Sequence, residues 1–376
     1  MARYTRHEIR QFHKLSRLLS PYIDAALAQP DLPSTETDWE VLIRVASRNL
    51  VLPCLYPVFR DKGLLQDIDS EIAGALEGFY QLNILRNTEL RQQIVEVSAI
   101  LNEVDIVPVW LKGATHLLTT QWETSGRMMI DLDFWLPDPD QQQHAIVQLK
   151  RAGYVRAPEY DDDDPYGVVH QHFAPLVKPG RLASLEVHRH VVSEHFRGLV
   201  PDQQALHETT WVQWNGHRIG QLYARDRALQ AYIQCAEMGL TFWRNPTFSS
   251  SLMKLIELQN QLLQVDRDTL RNEVLAPLMQ QPLQVFSKQL FTLLERDFGF
   301  KADIPTSQPL LRYQEFTFTE LELRLRNFKS SHPQLLYSFF MLTSACKSLG
   351  SGSCGSPLLW PKKLALHLSK IKKLKT

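Results

Sequence analysis

The sequence predicts an α+β (α/β) architecture: a small mixed sheet with helices packed on it, set between N-terminal helices and a C-terminal helical domain. Three observations predict it. Apolar residues recur at helical spacing from Tyr4 to about Asp105 and again from about Tyr223. Between these stretches, short β-rich runs alternate with helical ones in a βαβαβ-like order. A chain of 376 residues is long enough for two or three packed units. The divisions fall at about 1–83 for the N-terminal helices, 84–222 for the mixed core, 223–348 for the C-terminal helices, and 349–376 for a linker and tail.

The elements follow in order. Phe12, Leu15, Leu18 and Leu19 continue the spacing begun at Ile9, and Leu42, Ile43, Val45 and Ala46 form a second helical face. Asp67 to Val104 reads as one long helix or two abutting ones, with Asp69 or Ser70 as N-cap. "IVPVWL" (106–111) is a short strand, "GATHLLTTQW" (113–122) a helix, and "MMIDLDFWL" (128–136) a strand. "PDPDQQQHAIVQLKRAG" (137–153) opens with turn chemistry and continues as an amphipathic helix through Ile146, Val147 and Leu149. "YVRA" (154–157), "HQHFAPLVK" (170–178) and "ASLEVHRHVV" (183–192) read as strands, with Gly180 in a turn and "DDDD" (161–164) as a solvated loop. Helices return over 227–240, 251–264 and 309–328; "LGSGSCGSP" (349–357) is a linker and 361–376 a basic amphipathic tail.

Lys plus Arg equals Asp plus Glu, 41 each, so global charge favours neither nucleic acid nor a membrane surface. No apolar run reaches the roughly 18 residues of a membrane span. The polar, charged start does not read as a secretory signal. Cys54, Cys235, Cys346 and Cys354 are scattered without a C-x-x-C pair, as expected of free thiols in a reducing compartment, so a cytoplasmic location is predicted. In the tail, Lys362, Lys363, Lys370, Lys372, Lys373 and Lys375 interleave with apolar residues. Such a face suits an anionic lipid or RNA backbone; the alternative is a solvated helix.

Chemistry concentrates in "RMMIDLDFWL". Strand alternation places Asp131 and Asp133 on one face and Ile130, Leu132 and Phe134 on the other. Two carboxylates on a buried face repel and lose hydration, and a divalent cation such as Mg²⁺ offsets both penalties. The alternatives are an exposed edge strand, or pairing with Arg127. Asp67/Asp69 and Asp138/Asp140 repeat the spacing in turn or capping contexts. In "LKGATHL", Gly113 at a strand-to-helix transition lets the backbone approach a phosphate, Thr115 adds a hydroxyl and Lys112 a point charge; the alternative is that Gly113 serves only a tight turn. Glu186 in "SLEVHRH" offers a third carboxylate, with His188 on its face by period two. His170/His172 and His188/His190 alternate similarly, and a zinc site built from them is a further possibility.

Taken together, "WLKGATHLL", "GRMMIDLDFWL", "AIVQLKRAGYV" and "LEVHRH" resemble the bacterial uncharacterised nucleotidyltransferase family of the DNA polymerase β superfamily. The resemblance runs from about Asn83 to Val265, with Ala114 where related toxins carry a second glycine, and Gln234 and Glu237 where histidines are common. It implies a palm-like core and Mg²⁺-dependent transfer of an NMP group from an NTP, ATP among them, to an acceptor hydroxyl. Two ions would be held by Asp131, Asp133 and Glu186, and phosphates by Lys112, Gly113, Thr115 and Arg127. The acceptor is left open: a protein side chain, RNA end, sugar or small metabolite. The alternatives are a degenerate member that binds nucleotide as a regulator, and a helical adaptor or scaffold.

Overall fold

A computed structural model describes residues 6–20, 32–33, 35–120, 126–158, 160, 171–242, 252–280 and 283–300. All belong to a unit spanning Met1–Glu320. The 161–164 loop, the 309–328 helix, the linker and the basic tail anticipated from sequence lie outside the described residues, as do His170, Cys346 and Cys354.

The amphipathic patterns at the start fold as α1 (Arg6–Leu19), α2 (Glu36–Arg48) and α3 (Leu55–Asp61). Thr35 caps α2 by accepting from the Asp38 amide at 3.2 Å. The long periodic stretch is a single helix, α4 (Ser70–Asn102), of 33 residues. Asp69 is its N-cap, accepting from the amides of Glu71 and Ile72 at 2.8 and 3.4 Å.

Among the described residues seven strands form one sheet, in the order β3-β4-β5-β2-β1-β7-β6. They are β1 (Val109–Trp110), β2 (Asp131–Trp135), β3 (Val155–Arg156), β4 (Leu176–Val177), β5 (Ser184–His188), β6 (Thr210–Trp214) and β7 (His217–Gln221). Among them lie α5 (Lys112–Leu117), α6 (Pro139–Arg151), capped by Asp138, and α7 (Asp202–Glu208). β2 pairs antiparallel with β1 and parallel with β5, while β1 pairs parallel with β7. The acidic strand is therefore central, and the edge-strand alternative is overturned.

Several strands differ from their sequence expectation, each for a physical reason. "IVPVWL" contributes only two paired residues after Pro108, which has no amide to donate to a ladder. "HQHFAPLVK" is broken by Pro175 into an isolated bridge at His172 and the two residues of β4. The β6–β7 hairpin adds two strands that the hydrophobic pattern did not announce. Its two-residue turn is Asn215–Gly216, both with positive φ (46° and 82°), the conformation a tight hairpin turn requires.

The two faces of the sheet bury different cores. Leu132, Phe134, Leu185, Val187 and Ile219 pack with Leu90, Ile94 and Val97 of α4 and Leu149 of α6. Each such fully buried side chain is worth about 1.5–3 kcal/mol of transfer energy. Val109, Leu111 and Trp135 belong to the other core, shared with the N-terminal helices and with α8 (Ala224–Phe242) and α9 (Leu252–Leu262). A helical run follows, Arg267–Thr269, Leu270–Leu275 in π form and Ala276–Leu278. Then comes α10 (Gln284–Phe298), ended by Gly299 at φ 71°. Leu15, Leu42 and Leu55 thus share a core with Leu229, Tyr232, Leu258 and Leu294. Cys54 and Cys235 are buried free thiols, and burial pushes both up to about 12. No single helix among the described residues is long and apolar enough to cross a membrane.

Candidate functional site

The parallel register of β2 and β5 sets Asp133 against Glu186, Trp135 against His188 and Asp131 against Ser184. Neighbouring strands run about 4.8 Å apart, so the Asp133 and Glu186 carboxylates stand side by side. Alternation keeps them off the face that carries Leu132, Phe134, Leu185 and Val187. His188 Nε2 lies 2.8 Å from Asp133 Oδ1 and 3.8 Å from Glu186 Oε2. Ligand atoms of Asp133, Glu186 and His188 all lie within 4.8 Å of one another, and Asp131 is not part of that set. His172 reaches the same cluster through its bridge to His188, placing its Nε2 3.5 Å from Glu186 Oε2.

Lys112 completes the cluster. Its ammonium is ion-paired with Asp133 Oδ1 and lies 3.9 Å from Glu186 Oε2. The lysine is brought there by the sharp passage from β1 into α5, where the Leu111 amide donates to the Asp133 carbonyl at 2.9 Å. Lys112 itself adopts φ 49°, a left-handed conformation that costs a non-glycine residue about 1 kcal/mol or more. Two contacts hold it: its amide donates to Gln230 Oε1 at 3.2 Å, and Thr115 Oγ1 donates to its carbonyl at 2.7 Å.

These contacts set the charge states. Asp133 is 2% exposed and burial opposes its ionisation, yet Lys112 and the His188 hydrogen bond outweigh burial and hold it far below the usual carboxylate range. Glu186 moves the other way: burial and the Asp133 charge beside it raise its proton affinity well above normal. Burial also raises Asp131, with Asp133 adding to the push. Burial works against the Lys112 charge too, but Asp133 and Glu186 reverse that and raise its pKa. His188 is lowered by burial and by Lys112, and His172 is lowered to about 4 by burial and by His188. The pair Asp133–Glu186 thus holds one firmly ionised carboxylate and one that favours its proton.

Of the residues expected to meet phosphate, Lys112 and Thr115 line a small polar groove beside the acids, together with Arg227, Gln230, Gln234 and Glu257. Gly113 and Arg127 are found in contact. A Cβ on Gly113 would meet Arg127 Nη1 at 2.5 Å and Met129 Cγ at 2.9 Å, so the glycine makes room for the guanidinium. Arg127 Nε in turn donates to Glu257 Oε2 at 2.6 Å. Asn83 and Asn87 of α4 donate to the Arg127 carbonyl at 3.1 and 3.0 Å, and Arg86 Nε to the Met129 carbonyl at 3.0 Å, which fixes the entry to β2.

Sequence reasoning did not find the partners Glu257 and Gln230, and it offered His172 only as part of a zinc site. For Glu257 a signal existed: a carboxylate set directly between Ile256 and Leu258 in the helical run "LMKLIELQNQLL". Of the two histidine pairs, His170 lies outside the described residues and the other three histidines can be placed. His172 and His188 meet with ring centroids 5.3 Å apart, whereas His190 Nδ1 turns to Asp202 Oδ2 at 2.6 Å.

Comparison with solved structures finds the crystal structure of an antigenic nucleotidyltransferase-like protein from Paracoccidioides brasiliensis. It is 15% identical with a TM-score of 0.36, and the alignment covers 58% of this chain and 95% of that one. No curated protein matches the chain. The profile of the uncharacterised nucleotidyltransferases matches residues 35–299, which span helices and sheet alike. The chain belongs to the uncharacterised nucleotidyltransferase family.

Proposed function

We propose that the protein is a Mg²⁺-dependent nucleotidyltransferase that moves an NMP group from an NTP to an acceptor hydroxyl and releases pyrophosphate. The observation that carries this reading is the in-register pair Asp133–Glu186 with His188 beside it, in a chain of a nucleotidyltransferase family. Two carboxylates and an imidazole with donor atoms within 4.8 Å of one another fit a divalent cation, the hard oxygen atoms suiting Mg²⁺. Bound there, a pair of Mg²⁺ ions supplies neutralisation of phosphate charge and Lewis-acid assistance.

Asp131 and Asp133 serve the NTP side and Glu186 the acceptor side. Glu186, set in register beside Asp133, is placed for its ionised carboxylate to take the acceptor hydroxyl's proton as that oxygen attacks the α-phosphorus in line. The bond from the α-phosphorus to the bridging oxygen breaks, and pyrophosphate leaves with the electron pair. Lys112, Gly113 and Thr115 border the phosphates, with Arg127 seated against Gly113.

Incubation with each α-³²P-labelled NTP, Mg²⁺ and fractionated acceptors tests the reading. Asp133→Asn and Glu186→Gln are expected to lower label transfer by about a hundredfold or more while circular dichroism stays unchanged. Full transfer by either folded variant sinks the assignment. Nucleotide binding without transfer by the wild-type protein would instead mark a regulator.

A further inference from the structure

Lys112 Nζ sits among the donor atoms of Asp133, His188 and Glu186. It is paired with Asp133 Oδ1 and lies 3.4 Å from His188 Nε2 and 3.9 Å from Glu186 Oε2. Those are residues of the set whose donor atoms lie within 4.8 Å of one another. A divalent ion bonds such donors at about 2.0–2.2 Å. An ion among them would therefore press against the ammonium with like charges opposed, and the two cations exclude each other.

The lysine has a second place to put its charge. Its backbone is fixed by the Gln230 and Thr115 contacts, and Lys112 is also a lining residue of the groove with Gln230 and Gln234. The flexible four-carbon stem lets the ammonium swing away from the acids on the groove side while the backbone stays held. Glu257 on the groove wall is already held by Arg127 and Gln261, so beside the amides of Gln230 and Gln234 the ammonium's charge is left to an anion. Arg227, on the groove wall, is already engaged by Gln261, Gln264 and the Leu222 carbonyl.

We propose that Lys112 is an exchangeable internal cation: a divalent metal displaces it from Asp133, Glu186 and His188, and the released ammonium binds the triphosphate. Metal and nucleotide then favour each other's binding, because the metal frees the lysine that the nucleotide needs. The inference rests on the metal reading proposed above, and one titration separates the two.

Mn²⁺ binding to the full chain is followed by the electron paramagnetic resonance of the free ion, without nucleotide. Lys112→Met is expected to bind Mn²⁺ about tenfold more tightly than wild type, and Asp133→Asn about tenfold more weakly. Unchanged or weaker binding by Lys112→Met, with Asp133→Asn weakened, overturns the exchange and leaves the metal site standing. Asp133→Asn binding like wild type overturns the metal site itself. Removing the ammonium leaves Asp133 with less compensation and can unfold the chain, so the wild-type protein supplies a second readout. Acylation of Lys112 by an activated ester, read by peptide mass spectrometry, should rise about fivefold at saturating Mn²⁺ as the ammonium leaves its ion pair. Unchanged labelling overturns the exchange.

Discussion

At the scale of single residues, the chain balances buried charge with specific partners. Asp133 has Lys112 and His188, and Glu257 has Arg127 and Gln261. His116 on α5 has the reverse problem: burial, with the Arg127 charge adding to it, pushes its pKa down to about 4. A histidine lowered on folding stays neutral in the native state, so its contribution is complete above the unfolded value of about 6.5 and is lost as pH falls through about 4. Glu186 and Asp131 are raised and titrate in the opposite sense, so total stability does not isolate the effect. The stability of wild type minus that of His116→Gln does. Urea unfolding between pH 7 and pH 4 is expected to show that difference shrinking by about 2 kcal/mol, allowing for partial exposure. A pH-independent difference would show that His116 is not held neutral. At this scale the sequence disclosed whatever depends on local geometry: period two put Asp131 with Asp133, and Glu186 with His188. It did not disclose the Arg127–Glu257 contact, which joins residues 130 positions apart.

At the scale of elements, the central strands and the flanking helices were legible because their patterns are long. α4 and α6 follow their periodicity and start at aspartate caps, and β2 follows its alternation. The short pieces were not, since proline and pairing partners decide where a ladder stops. The hairpin did leave a signal in "WNGH", where Asn-Gly separates two alternating runs. Two glycines of this hairpin separate backbone strain from crowding. Gly216 has φ 82° with nothing near its Cβ position, so Gly216→Ala costs only the left-handed conformation, about 1 kcal/mol. Gly220 has ordinary φ, but a Cβ there would meet Val109 Cγ2 at 2.8 Å and Trp211 Cζ3 at 2.9 Å. Gly220→Ala should therefore cost more, about 2 kcal/mol, by straining the β1–β7 pair. Chemical denaturation of both variants reads the order, and a reversal would contradict the packing described between β7 and β1.

At the scale of the molecule, the sheet divides two kinds of surroundings. One face is an apolar layer under α4 and α6; the other holds the acids and is bordered by α5, α8 and α9. The class of fold followed from the order of patterns along the chain. The joining of N-terminal and C-terminal helices in one core did not, because an amphipathic face does not name its partner. That joining places Gln230 and Gln234 of α8 and Glu257 of α9 beside residues of α5, so the groove next to the acids is made by segments more than a hundred residues apart.

The central claim, that Asp133 and Glu186 form a cation site serving a nucleotide, is tested most directly by anomalous diffraction from crystals grown with Mn²⁺ and a non-hydrolysable NTP. The account predicts an anomalous peak within about 2.5 Å of carboxylate oxygens of both residues, with the triphosphate beside it and the Lys112 ammonium moved onto a phosphate. Nucleotide bound with no peak at that pair, and Lys112 still seated on Asp133, would contradict it.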